Sequence, residues 1–157
     1  MTVPLAEPAA ESRARKVGRV ALALLYGAAG AIHLARPAAF VAITPAWVPH
    51  PGTVVAATGV AELAGAAGLL QTLSPTLRRW AGWGLAAYAL CVWPANFHHM
   101  QLDMARPDHG LGLGYHIPRL LAQPLIIWWA LWASGAVRPR RPRIAAASPV
   151  PNRGALP

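Results

Sequence analysis

The 157-residue chain is 55% hydrophobic and only 12% charged, against about 25% charged in soluble domains, which excludes an ordinary water-soluble composition. Its single cysteine, Cys91, excludes an intrachain disulfide and a paired-thiol relay. The net charge of +9 lies beside apolar runs and in the terminal segments, so anionic lipid headgroups, and not nucleic acid, are the expected partner.

In chain order, residues 1–15 read as a polar, disordered N-terminal tail without periodicity. The basic residues Arg13, Arg15, Lys16 and Arg19 then lead into a first span at about 19–36, apolar except for His33 and closed by Arg36-Pro37. The same layout would serve a signal peptide, with Gly27 to Ala31 as its cleavage region, but the apolar run continues past those small residues. Pro45, Pro49 and Pro51 prevent one regular helix across residues 37–52. Phe40, Ile43, Trp47 and Val48 nonetheless suit a segment lying in the headgroup zone or folded over the bundle as a cap.

The second span, about 54–73, carries one carboxylate, Glu62, and a short turn with Pro75 follows before Arg78 and Arg79. The third span, about 80–97, has Trp80 and Trp83 at one end and Trp93 at the other, and Pro94 predicts a kink or an early stop. A long polar connection over 97–116 holds most of the histidines, and a fourth span runs over about 118–137 with Trp128, Trp129 and Trp132 toward its end. Residues 138–157 form a basic, Pro-rich tail expected to be disordered. The fold class is therefore all-α, an integral membrane four-helix bundle over residues 16–137. Eleven Lys and Arg fall on one side of these spans and only Arg36, Arg106 and Arg119 on the other. The positive-inside rule then puts both termini in the cytoplasm, as a multi-pass inner-membrane protein with both long connections outside.

Each span supplies one polar group to the outer half of the bilayer. At about 1.5 Å per residue through a core about 30 Å thick, Glu62 lies about 13 Å deep, His33 about 9 Å, Gln123 about 8 Å and Asn96 about 6 Å. His116, Arg119 and Gln123 follow one another at helical spacing, and Tyr26 shares the face of His33. Small residues Thr58, Gly59 and Gly65 share the Glu62 face, so the acid points into the bundle. A carboxyl with a neighbouring imidazole is an acid/base pair, and Arg119 or a protonated His33 would keep it charged. The alternative is a hydrogen-bonded plug that only fixes helix register. In the outer connection His98, His99, Asp103, Asp108, His109 and His116 offer nitrogen and oxygen ligands that would suit zinc or copper, with His98, His99, Asp103 and His109 as weak candidates, because the spacing matches no metal motif and a solvated loop reads better. Cys91 reads as a small buried hydrophobe.

At His33-Leu34-Ala35-Arg36-Pro37, followed by Phe40, Ile43, Pro45, Trp47, Pro49 and Pro51, the chain resembles the DoxX-like family of small four-helix bacterial membrane proteins. Gly59 to Glu62 with Gly65 look like that family's second helix, Trp93-Pro94-Ala95-Asn96 with His99-Met100 its third-helix ending, and Arg119 with Gln123-Pro124 its fourth. The resemblance spans roughly residues 17–135. It implies a four-helix membrane protein and an accessory or quinone-interacting subunit of a membrane redox system, with a redox subunit as partner and quinone as cofactor by resemblance alone. Two function classes stay open: the redox role that the resemblance implies, enzymatic or not, and a non-enzymatic structural or small-molecule-binding protein.

Overall fold

The computed structural model describes residues 11–137, which are all-α and contain no strand. Five helices follow in order: α1 (Arg13–Ala35), α2 (Pro37–Val41), α3 (Pro51–Leu70), α4 (Pro75–Met104) and α5 (Leu113–Ser134). Local chemistry sets most of their ends. The Ser12 and Ser74 hydroxyls accept the Arg15 and Leu77 N–H groups at 3.3 Å, capping α1 and α4. Proline, whose missing N–H costs nothing in a first turn, opens α2, α3 and α4. Gly135, at φ +77°, ends α5 in the left-handed conformation usual for a helix stop.

The four long helices close into a ring in which α1 packs on α3 and α5, α3 on α4, and α4 on α5, while α2 rests on α3 and α1. Glycines set the approach between α1 and α3. A Cβ on Gly30 would stand 2.7 Å from the Gly59 carbonyl oxygen, and one on Gly59 would stand 2.9 Å from the His33 Cβ. His33 and Glu62 each lie three residues beyond one of these glycines, so the close crossing is what brings the two side chains together. The apolar core, including Leu22, Leu69, Leu85, Ala130 and Ala133, fills the end of the bundle that holds the start of α1 and the α3–α4 turn. Polar groups occupy the other end.

Several expectations change. The tail expected over 1–15 gives way to helix at Arg13, because Ser12 supplies a cap, and Glu11 is held against Arg19; residues 1–10 and the tail 138–157 lie outside the described residues. The spans expected at 19–36, 54–73, 80–97 and 118–137 correspond to helices whose ends differ by up to seven residues. Pro94 does not stop α4, which runs ten residues further, because its last turn packs on α5 and Asp103 ties it to Leu111 and His116. The polar connection thereby shrinks to residues 105–112. Cys91, expected buried, is exposed, since Ala89 and Asn96 take the inward positions of that stretch of α4.

By length and composition α1 and α3 are the two described helices able to cross a membrane. At the apolar end the structure adds an ion pair, between a buried arginine and the exposed Glu11, that was not anticipated from the sequence. Arg19, 6% exposed, donates to the Leu69 carbonyl at 2.8 Å and to both Glu11 carboxylate oxygens at 3.0 and 3.3 Å. It satisfies a carbonyl at the end of α3 that the helix itself leaves without a partner.

Candidate functional site

A cavity of about 380 Å³ opens among α1, α3, α4 and α5 beneath the α2–α3 segment, which contributes Phe40, Thr44 and Trp47 to its wall. Of the seven pocket residues named from the sequence, Tyr26, His33, Glu62, Asn96, Arg119 and Gln123 line it. His116 does not. All but Tyr26, whose hydroxyl donates to the Leu85 carbonyl at 3.5 Å, fall into three groups with different chemistry.

The first is Glu62 and His33. Glu62 is 4% exposed, and its Oε2 lies 2.8 Å from His33 Nδ1. That nitrogen is also 3.0 Å from the Ala29 carbonyl one turn back, and its N–H is aligned on that oxygen. Oε2, sealed from solvent, is left without an aligned donor from the imidazole. If that Nδ1 proton passed to the carboxyl, with the ring's other proton on Nε2, Oε2–H would donate to the bare Nδ1, so the proton has two adjacent resting places. Phe40 stacks on the His33 ring with centroids 3.7 Å apart, and Tyr88 stands beside the Glu62 carboxylate. Neither partner was anticipated from the sequence; the phenol of Tyr88 inside an apolar span was the available signal.

The second group bonds within the protein. Asn96 Nδ2 donates to Gln123 Oε1 at 3.3 Å, and Gln123 Nε2 donates to the Ala89 carbonyl. Proline at 94 leaves a break in the α4 ladder near this pair, and the bonds join α4 to α5 across the cavity floor.

The third group begins at Arg119, which forms no ion pair with Glu62 among the described residues. Its Nη1 donates to His99 Nδ1 at 3.0 Å, and its guanidinium stands 5.7 Å over the Tyr115 ring. His99 and Asp103, one turn apart on α4, face His116 from the first turn of α5. His116, 1% exposed, places Nε2 2.9 Å from Asp103 Oδ2, which also accepts the Leu111 N–H at 3.0 Å. That backbone bond, and then the bond from His116, hold the Asp103 carboxyl below the usual carboxylate range. Burial first, and then Arg119 and His116, push the His99 imidazole below its usual value, against an opposing pull from Asp103. The expectation that His116 belongs to the pocket is therefore corrected: at the start of α5 its ring is drawn to the carboxylate on α4. Of the residues considered as metal ligands, His98 lines a separate groove with Trp93 and Trp47, and His109 is exposed at φ +54°.

Compared with known families, residues 22–134 match one described as a domain of unknown function (DUF8561). The chain belongs to that family. The DUF8561 region contains every cavity residue named above, together with the His99, Asp103 and His116 cluster. No curated protein and no solved structure matches the chain.

Proposed function

We propose that this chain is a four-span membrane protein with both termini cytoplasmic, which binds a small, partly polar molecule in the Glu62–His33 cavity as an accessory or quinone-interacting subunit of a membrane redox system. Support for the membrane reading comes from the exterior of the ring. Each long helix turns large apolar side chains outward, with Leu24 65%, Val60 57%, Leu90 57% and Leu125 66% exposed. Only 28% of the apolar stretch of α1, and of α3, is buried, whereas the core helix of a soluble protein would be mostly covered. The excess of Lys and Arg at the apolar-core end favours that end as cytoplasmic.

The observation that carries the binding reading is Glu62, a buried carboxyl on the cavity wall whose Oε2 has no aligned donor from the His33 imidazole although Nδ1 stands 2.8 Å away. A buried acceptor or acid without a partner costs about 1–3 kcal/mol, a cost that a ligand hydroxyl or carbonyl would offset. The volume lies in the range of small-molecule pockets, and Phe40, Trp47, Tyr26 and Tyr88 offer faces to a ring. The resemblance to DoxX-like proteins favours a redox setting. A packing role is favoured by a separate observation for Asn96 and Gln123, whose bonds close within the protein.

Mass spectrometry of small molecules retained through gentle detergent purification tests the reading. A defined organic compound should accompany the wild type and be lost from Glu62→Gln while the helical circular dichroism is kept. Equal retention by both proteins, or none by the wild type after membrane extraction, refutes it.

A further inference from the structure

The connection between α4 and α5 is built around one carboxylate. Gly110, at φ +50°, passes so close to Asp103 that a Cβ there would fall 2.4 Å from its Cγ, and the next N–H, of Leu111, fixes Oδ2 at 3.0 Å. Two imidazoles converge on the same oxygen, His116 Nε2 at 2.9 Å and His99 Nε2 at 3.6 Å. The three side chains are 9%, 1% and 17% exposed for Asp103, His116 and His99 respectively. Their donor atoms all lie within 4.8 Å of one another. In a tetrahedral site with metal–ligand distances of about 2.0–2.1 Å, neighbouring donors stand about 3.3–3.4 Å apart, so small side-chain adjustments bring this triangle to that size.

We propose that His99, Asp103 and His116 bind one divalent first-row transition metal ion, with zinc as the representative, through two imidazole nitrogens and one carboxylate oxygen. Two histidines and a carboxylate leave at least one coordination position open, and nitrogen with oxygen donors suits zinc, iron or copper over calcium or magnesium. Asp103 comes to the site already oriented by the Leu111 N–H, which fixes the direction of its carboxylate before an ion arrives. Loading requires a proton shift at each histidine: His116 Nε2–H, which now donates to Asp103, must pass its proton to the unpartnered Nδ1, and Arg119 defines the change at His99. By donating to Nδ1 it keeps the His99 proton on Nε2, and a metal at Nε2 shifts that proton to Nδ1 and releases the guanidinium. The inference stands apart from the ligand reading of the Glu62 cavity.

The test is equilibrium dialysis and calorimetry of the untagged full chain in detergent against zinc chloride, with magnesium in excess. His99→Gln is the informative variant, because it removes one ligand while leaving the Asp103 bonds to Leu111 and His116 that hold the loop. One zinc per chain is expected, with affinity lowered at least about tenfold in His99→Gln and unchanged in His98→Gln and His109→Gln. Zinc should also raise the melting temperature of the wild type but not of His99→Gln, which separates lost binding from lost fold. Absence of saturable binding in the wild type overturns the proposal. So does undiminished binding in His99→Gln, or an equal loss in the His98 and His109 variants.

Discussion

Gly30→Ala probes the crossing that assembles the Glu62–His33 pair. The new Cβ would stand 2.7 Å from the Gly59 carbonyl oxygen, with Leu63 Cγ at 3.0 Å and Glu62 Cβ at 3.1 Å. Favourable C···O contacts begin at about 3.3 Å, so α1 and α3 must part by about 0.6 Å. The nearest atom is backbone and cannot rotate away. Overpacking of this kind costs about 1–3 kcal/mol, and replacing a helical glycine with alanine returns about 1 kcal/mol, for a net loss of about 1 kcal/mol. Gly84→Ala on the exposed face of α4 meets nothing within 4 Å and keeps only the gain. The two variants should therefore differ by about 2 kcal/mol, or about 30-fold in the unfolding equilibrium. Unfolding of both in detergent, followed by circular dichroism, measures this difference. Equal stability would refute the argument that helix approach at Gly30 is at its limit.

Arg19→Met removes the bonds to Leu69 and Glu11 from the apolar end and should lower stability by about 1–3 kcal/mol in the same assay, leaving ligand retention unchanged. Cys91 is exposed and lies on the cavity wall, so its alkylation by a maleimide should slow when the retained compound is present and recover when it is stripped. Equal rates would place the compound elsewhere. The His99 imidazole titrates below its ordinary value, so the unfolded chain takes up its proton first as pH falls. Stability should decline from about pH 6.5 downward, and His99→Gln should flatten that limb. The depressed Asp103 carboxyl contributes stability above its unfolded value of about 3.9 and loses it as pH falls through its folded value, a lower window that Asp103→Asn would remove.

The sequence alone determined the all-α class, the order and approximate position of the long helices, and six polar residues of the cavity wall, because hydrophobic runs and helical spacing are local properties. It placed Glu62 opposite His33 by depth, and their contact follows from two glycines that the chain itself displays. What it could not decide was partnership across helices. Asn96 closes on Gln123, Arg119 turns to His99, and His116 leaves the cavity for Asp103, each choice depending on how α4 and α5 are rotated against each other. Proline at 94 read as a break because its local cost is visible in the sequence, whereas the contacts with α5 that carry the helix through to Met104 are not. Rotation and reach are set by the summed packing of side chains far apart in the chain, and only the assembled helices reveal them.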